Sequence, residues 1–257
     1  MDAIAAGAQS GTLTYGSTTA SATFAMTTTL GGTGGKPIVT YSVTSGLPTG
    51  ATAPPVTGSG SSPQNATLTV SISATTLAGS YTLNISGTDG LTPRTTTATL
   101  IVSKRSLNFT GTKVYDAGTT FTTAQVTAGN VVNSDVIGLG GSATVSSKNV
   151  GSYTSFSSNS FTTTNANYLV TGGTVAVSIT TKAITVTAVT NIKTYDGTTS
   201  AAATPTTPGG SILTGDVANF TEAYSNRNAG AGKSLVPSGT VTDGNSGNNY
   251  AYTFVNR

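Results

Sequence analysis

The chain has 257 residues, contains no His, Cys or Trp, and carries only 7% charged residues. It therefore lacks the commonest general base, a thiolate nucleophile and the usual structural zinc ligands, so we expect neither an enzyme nor a bound cofactor. The net charge is only +3 and the basic residues are scattered, which argues against nucleic-acid binding, since that needs clustered Lys and Arg.

The first hundred residues alternate between apolar and hydroxyl side chains. Such alternation buries one face of a strand and exposes the other. The predicted strands are residues 38–44, 66–73, 79–86 and 97–102. Gly, Pro and Asp turns separate them, which indicates an antiparallel sandwich. No segment shows a sustained helical period, and no apolar run is long enough to cross a membrane.

Two later segments of the chain repeat each other. Four motifs recur in the same order, about 80 positions apart, a period that suits one small all-β domain per repeat. The matching motifs are Lys113–Asp116 with Lys193–Asp196, Ser134–Val136 with Gly215–Val217, Lys148–Gly151 with Arg227–Gly230, and Asn167–Tyr168 with Asn249–Tyr250.

The junctions between these segments contain no flexible linker. Ile101–Lys104 leads directly into Arg105, and Ile179–Lys182 leads directly into Ala183. Short extended connections of this kind are stiff. The sequence therefore predicts an all-β rod of three tandem immunoglobulin-like or Greek-key β-sandwich domains, at residues 1–104, 105–182 and 183–257.

The last repeat differs from the middle one after its Asn-Tyr motif. In the middle repeat a full predicted strand follows, at residues 173–179, whereas Asn249–Tyr250 is followed only by Ala251–Arg257. We expect the last domain to lack its closing strand, either because the chain is a piece of a longer array or because another chain donates the strand. Thr12–Tyr15 is a candidate donor.

The repeat motifs resemble those of a known family. Lys193–Thr199 and Asn228–Lys233 are similar to the YDG-type repeat domains of filamentous-haemagglutinin-like bacterial surface adhesins. The middle repeat departs from that pattern, with Ala117 before Gly118 and with Gly151–Tyr153 in place of the Gly-x-Gly-Lys element. The resemblance implies an extracellular location on a bacterial surface and transfers no catalytic residues.

The N-terminal segment resembles a bacterial immunoglobulin-like repeat. The motifs that carry this resemblance are Ser45–Gly50 and Ala78–Thr82. It implies a β-sandwich and assigns no ligand.

The repeated motif residues favour structural roles. We expect each Tyr of the Tyr-Asp pairs to close one end of a sandwich, and each Asp to accept backbone N–H bonds from the following turn. A ligand-binding or calcium-binding carboxylate is the alternative. The residues of this structural set are Tyr115, Asp116, Tyr195, Asp196, Asn149, Gly151, Asn228 and Gly230.

Segment 243–248 superficially resembles a calcium loop. Calcium takes six to eight oxygen ligands and favours several carboxylates, but the only one here is that of Asp243. A solvated hairpin turn is the favoured interpretation, and the sequence predicts no metal site.

Some bacterial surface domains carry an intramolecular Lys–Asn isopeptide bond, which forms beside a buried acid. The chain contains two sets of suitable residues: Lys113, Asn167 and Asp135, and Lys193, Asn249 and Asp216. Only the tertiary structure can show whether either set is adjacent.

The sequence therefore predicts a structural extracellular protein, the stalk or filament-forming repeat module of a bacterial surface adhesin. Its expected partners are neighbouring repeats or other copies of itself. One alternative is a module that binds glycans or a host surface, through Tyr15, Tyr41 and Tyr81. The other is a filament subunit that polymerises by strand donation into the last domain.

Overall fold

The computed structural model of the chain describes residues 1–31 and 37–257, and it is all-β. No helix occurs in these two ranges, so none there is long and apolar enough to span a membrane. Hydroxyl-rich alternating segments form strands because their β-branched side chains pack on one face and are solvated on the other.

Strands cover most of each segment of the chain. Residues up to 104 form β1 (Ala3–Ala6), β2 (Leu13–Thr14), β3 (Ser21–Thr29), β4 (Thr40–Ser45), β5 (Ala51–Thr52), β6 (Val56–Thr57), β7 (Gln64–Ile72), β8 (Gly79–Thr88) and β9 (Arg94–Ser103). The middle repeat forms β10 (Arg105–Ser106), β11 (Asn108–Val114), β12 (Thr120–Thr122), β13 (Val126–Gly129), β14 (Leu139–Gly140), β15 (Ser142–Thr144), β16 (Gly151–Tyr153), β17 (Ser158–Asn159), β18 (Thr162–Thr163), β19 (Tyr168–Leu169) and β20 (Val175–Thr180). The last repeat forms β21 (Lys182–Thr187), β22 (Val217–Tyr224), β23 (Leu235–Thr242) and β24 (Tyr250–Val255).

The chain divides into two compact units. The N-terminal unit contains Met1–Leu107, Ala128–Leu139 and Thr162–Gly173. The C-terminal unit contains the remainder, Asn108–Thr127, Gly140–Phe161 and Thr174–Arg257. The middle repeat thus contributes to both units, and the division into three domains stays a prediction.

The N-terminal unit is built on two sheets that enclose one core. One sheet has the strand order β1-β3-β7-β5 and the other β2-β9-β8-β4-β6. Both contribute fully buried side chains to a single hydrophobic cluster, which includes Phe24, Tyr41, Leu68, Leu83 and Leu100. This arrangement agrees with the predicted sandwich, and β4, β7, β8 and β9 lie where four strands were predicted.

Strands β2 and β9 of this sandwich pair in parallel. Leu13 lies opposite Val102, and Thr14 lies opposite Ser103. An antiparallel sandwich was expected throughout, and this pair differs because β2 enters the sheet beside β9. The Thr12–Tyr15 segment, considered above as a strand donor, is therefore held in its own unit by β9.

The C-terminal unit contains two sheets from the middle repeat. Their strand orders are β13-β11-β20-β16 and β12-β15-β17. The rings of Phe109 and Phe161 stack with centroids 5.1 Å apart, and Phe121 is fully buried. Strands β11 and β20, the first and last of the C-terminal unit's part of this repeat, pair in parallel from Phe109 opposite Val175 onwards.

The last repeat adds two two-stranded ladders to the C-terminal unit. Strands β22 and β23 are antiparallel, and β21 and β24 are parallel. Phe220 from β22 contacts the rings of Tyr252 and Phe254 from β24, with centroids 6.1 and 6.4 Å away. These contacts pack β24 against the β22–β23 ladder.

The last repeat ends in strand β24, and the absence of a further closing strand stays a prediction. Strand β24 pairs with β21 from Lys182 opposite Tyr250 to Thr187 opposite Val255, and it begins at the Asn-Tyr motif as β19 does where it pairs with β10 in the middle repeat. The middle repeat has a turn between Leu169 and β20, whereas the last repeat runs from its Asn-Tyr motif straight into the strand. The alternation of apolar and hydroxyl side chains does not by itself reveal this direct connection.

Candidate functional site

Two tyrosines share one carboxylate in the N-terminal unit. The hydroxyls of Tyr15 and Tyr168 each donate a hydrogen bond of 2.8 Å to Oδ2 of Asp135. The two rings meet edge to face with their centroids 5.6 Å apart, and both side chains are buried. Hydrogen bonds to a carboxylate are stronger than neutral ones, and the ring pair adds packing energy. These three residues are called the first cluster.

The first cluster forms at the predicted boundary after residue 104. The backbone N–H of Tyr15 donates to the carbonyl of Ser103, at the end of β9. Strand β9 runs on almost directly into β10, which pairs in parallel with β19 so that Arg105 lies opposite Tyr168. Two short parallel pairings therefore bring a tyrosine from each side of the boundary to the same aspartate.

Gly16, next to the first cluster, lies close to the side chains of Val132 and Arg105. Its φ of +81° lies in the left-handed region, and a Cβ at this position would overlap Cγ2 of Val132. Arg105 donates from Nε to the carbonyl of Tyr15 at 2.8 Å. A residue with a side chain would force these segments apart, which explains a glycine where the later repeats have Asp.

The C-terminal unit contains a second cluster of the same composition. Tyr115 and Tyr250 donate hydrogen bonds to Oδ2 of Asp216, at 3.0 and 2.7 Å. Their rings also meet edge to face, with centroids 5.5 Å apart and an interplanar angle of 74°. Both tyrosines are buried. The chain has thus built the same Tyr–Asp–Tyr arrangement twice.

Strand pairing positions the second cluster as it does the first. The N–H of Tyr115 donates to the carbonyl of Thr180, at the end of β20. After one further residue β21 begins, and it pairs in parallel with β24 so that Lys182 lies opposite Tyr250. The second cluster therefore lies at the predicted boundary after residue 182.

Lys148 adds a positive charge to the second cluster. Its Nζ lies 3.4 Å from Oδ1 of Asp216 and 5.7 Å from the ring centroid of Tyr115. Since its side chain is partly exposed, this ion pair contributes less than the buried hydrogen bonds. It contacts the carboxylate oxygen that the two tyrosines do not use.

An asparagine reinforces each cluster. Oδ1 of Asn167 accepts a 3.0 Å hydrogen bond from the N–H of Ala78, and Oδ1 of Asn249 accepts one of 2.9 Å from Val150. Nδ2 of Asn249 also donates to Oδ1 of Asn149. The Asn-Tyr motif therefore contacts the preceding segment of the chain through both of its side chains, which is why its two residues occur together.

Burial raises the pKa of the four tyrosines in these clusters. Desolvation is the main cause that raises the pKa of Tyr15, Tyr168, Tyr115 and Tyr250 above 10.0, and the neighbouring aspartate raises each further. The pKa of Lys148 is also raised, first by the Tyr115 side chain and then by Asp216. At neutral pH the tyrosines are therefore neutral hydrogen-bond donors.

Each cluster with its asparagine contains one Asp, one Tyr and one Asn that contact the preceding segment of the chain, and we call these three residues an Asp-Tyr-Asn set. The residues of the middle repeat that such a set contacts have exposed counterparts in the last repeat. Tyr195 matches Tyr115 in the repeat, but it is 65% exposed, whereas Tyr115 is 1% exposed. The counterparts of Lys148, Asn149 and Val150 are exposed as well. They are Arg227, Asn228 and Ala229. We call these four residues of the last repeat the exposed face.

A groove of about 500 Å³ opens beside the exposed face. It lies between the segment that carries Tyr195 and the loop that carries Gly230. In the middle repeat, Gly151 of the equivalent loop pairs with Ile179 of β20. The groove therefore lies where the middle repeat holds the end of its closing strand.

The Asp of each Tyr-Asp pair organises a turn. Oδ1 of Asp116 accepts from the N–H of Gly118, and Oδ1 of Asp196 accepts from the N–H of Thr198, both at 2.9 Å. These bonds are of the kind that the turn chemistry predicts. The preceding lysines, which were not assigned to these turns, pair with the same oxygens, Lys113 at 2.7 Å and Lys193 at 2.8 Å. The Lys193 hydrogen bond is the first cause that lowers the pKa of Asp196 to about 2.

The residues considered for isopeptide bonds have separate partners. Lys113 belongs to the C-terminal unit, whereas Asn167 and Asp135 belong to the N-terminal unit. In the other set, Nζ of Lys193 bonds within its own turn, Asn249 bonds to Val150 and Asn149, and Asp216 bonds to the second cluster's tyrosines. The three side chains of that set share no partner.

Asp243 is buried and organises its loop. Its Oδ1 accepts from the N–H groups of Asn245 and Gly247, and its Oδ2 accepts from Asn249, all within 2.7–2.9 Å. Burial raises its pKa, but these backbone bonds outweigh that effect, so the pKa of Asp243 is lowered. The turn is therefore held by a buried carboxylate, while Gly244, Ser246 and Asn248 of the same loop are exposed.

The tyrosines considered for glycan binding are mostly unavailable. Tyr15 and Tyr41 are buried, and the hydroxyl of Tyr41 lies beside that of Thr28. Tyr81 is half-buried and donates to the carbonyl of Leu77. Across residues 1–31 and 37–257 there is also no group of three acidic, His or Cys side chains that could hold a metal ion.

Comparisons with known proteins support the repeat assignment in part. Comparison with curated proteins finds no match. Among solved structures the chain is similar to the structure of Yersinia pseudotuberculosis InvD, with 13% identity over 94% of this chain and 71% of that chain and a TM-score of 0.26, which is too low to support an argument about function. A family model described as the YDG domain matches residues 180–255. The last repeat is therefore similar to a YDG domain.

Proposed function

We propose that this chain is a non-catalytic, extracellular stalk segment of a bacterial surface adhesin, in which β-domains are joined in series by Tyr–Asp–Tyr clusters. The observation that carries this proposal is that the same cluster occurs at both predicted domain boundaries. The similarity of residues 180–255 to a YDG domain supports the assignment to a surface protein.

Each boundary has three separate attachments between the domains it joins. They are the linkerless chain itself, the shared aspartate, and the asparagine that binds backbone or side chain across the boundary. Three attachments restrict bending and twisting more than a single flexible linker does. A protein that must hold a binding site away from a cell surface needs this kind of stiffness.

Small-angle X-ray scattering of the full chain tests the proposal. We expect the wild-type protein to give the narrow distance distribution of a stiff, extended particle. Asp135→Asn combined with Asp216→Asn removes the carboxylate of both clusters and should broaden that distribution while each sandwich stays folded by circular dichroism. Asp196→Asn makes the same chemical change on an exposed turn and should leave it unaltered.

A compact or already flexible wild-type particle would overturn the stalk proposal. So would a double variant whose scattering matches that of the wild type. Either result would mean that the clusters do not hold the domains in line.

The two alternative functions have less support. Burial of Tyr15 and Tyr41 removes most of the aromatic surface considered for glycans. For strand donation, β24 already occupies the edge of β21, so a donated strand could enter only the groove beyond Val255. Electron microscopy of the purified chain distinguishes filaments from single short particles.

A further inference from the structure

The exposed face of the last repeat has the features of a docking site. Three tyrosines of the chain hold equivalent positions: Tyr15, Tyr115 and Tyr195. The first two are 3% and 1% exposed because a following repeat covers them, whereas the third is 65% exposed. A large aromatic side chain that two preceding segments bury in the same way, and that is exposed in the third, marks an interaction surface.

The groups around Tyr195 match those of an occupied site. Lys148 and Val150 contact the second cluster and its asparagine through an ion pair and a backbone N–H. Their counterparts, Arg227 and Ala229, lie exposed beside the groove. The exposed face thus offers one aromatic hydroxyl, one cation and the backbone N–H of Ala229.

These groups define the chemistry of an occupant. Tyr115, the counterpart of Tyr195, donates to a carboxylate, and Arg227 favours the same negative charge. The ring of Tyr195 accommodates a second tyrosine edge to face, and Asn228 and the N–H of Ala229 fit an asparagine side chain. One Asp, one Tyr and one Asn in this arrangement are the set that the middle repeat presents as Asp135, Tyr168 and Asn167.

We propose that the exposed face binds the Asp-Tyr-Asn set of a further YDG-type repeat, joined in series after the last repeat. This inference rests on the proposed function, because it extends the same junction by one domain. A second copy of this chain is a poorer occupant, since both of its Asp-Tyr-Asn sets are already engaged in its own clusters.

An extended chain tests this proposal. A second copy of residues 175–257 is appended directly after Arg257, so that its first seven residues supply a closing strand and the connection. In the appended copy the residue equivalent to Tyr195 is changed, Tyr195→Phe. Nitration by tetranitromethane, followed by peptide mass spectrometry, then reports on the original Tyr195 alone.

We expect the original Tyr195 to be nitrated readily in the 257-residue chain and about tenfold or more slowly in the extended chain, since a covered group reacts only when its site opens. Asp216→Asn in the appended copy should restore the fast rate. Asp196→Asn in the appended copy, an exposed turn position, should not.

Three outcomes would overturn the proposal. They are fast nitration of Tyr195 in a folded extended chain, protection that persists with Asp216→Asn, and concentration-dependent protection in the original chain, which would identify a second copy as the occupant. The nitration rate of Tyr115 distinguishes a failure of this proposal from a failure of the proposed function. If Tyr115 stays protected while Tyr195 reacts, the stalk proposal stands. If both tyrosines react, the second cluster does not form a closed junction and the stalk proposal fails as well.

Discussion

The rings of Tyr115 and Tyr250 meet edge to face at 5.5 Å, and their hydroxyls converge on a single oxygen of Asp216. The shared aspartate joins Tyr115 of the middle repeat to Tyr250 of the last repeat. Its energetic value depends on burial, because an exposed tyrosine would exchange the same hydrogen bond with water at little cost. The exposed equivalent, Tyr195, provides a natural control for that statement.

Tyr115→Phe should lower the free energy of unfolding by about 1 kcal/mol, because it removes one hydrogen bond and leaves the ring packing intact. Tyr195→Phe should change it by less than about 0.5 kcal/mol, since that side chain is exposed. Guanidinium unfolding of the full chain measures both. Equal losses for the two variants would contradict the account of the second cluster.

Stability should be constant across neutral pH and should fall above about pH 10. The folded-state pKa values of Tyr15, Tyr115, Tyr168 and Tyr250 are raised above the ordinary 10.0. The unfolded chain therefore loses these protons first, so the stabilisation is complete below pH 10 and disappears as the pH rises through the folded values.

Thermal unfolding between pH 7 and pH 11.5 measures this alkaline transition. A variant with Phe at Tyr115 and Tyr250 should show a shallower loss, because two of the shifted groups are absent. Tyr195→Phe should leave the profile as it is. A wild-type profile that is flat through pH 11.5 would contradict the predicted shifts.

Asp243→Asn should destabilise the last repeat by about 1–3 kcal/mol, because an amide replaces one of two oxygens that together accept three backbone N–H groups. The pKa of Asp243 is lowered, so its stabilisation is present above pH 3.8 and is lost as the pH falls through its folded value. Urea unfolding at pH 7 and pH 3 measures both effects. The difference in the free energy of unfolding between wild type and variant should be smaller at the lower pH.

Asp196→Asn, on an exposed turn, is the control for Asp243→Asn and should lower the free energy of unfolding much less at pH 7. An equal loss for the two variants would show that burial of Asp243 is unimportant.

The intact mass of the purified chain should equal the mass calculated from its sequence. Each isopeptide bond would release one ammonia, and the partners of Lys193 and Asn249 keep these two side chains apart. Electrospray mass spectrometry of the denatured protein resolves this loss. A mass lower by one or two ammonia molecules would show that a cross-link forms, and Lys193→Arg and Lys113→Arg would then locate it.

Much of the fold follows from local pattern. Alternation predicts β7, β8 and β9, and a Tyr-Asp pair followed by Gly and Thr predicts a turn whose N–H groups bond to the carboxylate. Strand β24 was not predicted, because Ala251–Val255 follows the Asn-Tyr motif without the turn that the middle repeat has there. Pairing with β21 makes it a strand, and that pairing is not local.

The sequence by itself determined the all-β class, the repeat and the identity of the recurring residues, because these depend on neighbours along the chain. It could not determine what the tyrosines do. Tyr15 lies 120 positions from Asp135 and Tyr115 lies 101 positions from Asp216, so only the tertiary structure brings them together. The tertiary structure buries two copies of the same tyrosine and leaves Tyr195 exposed, and burial decides whether a hydroxyl stabilises the fold or is available to bind another domain.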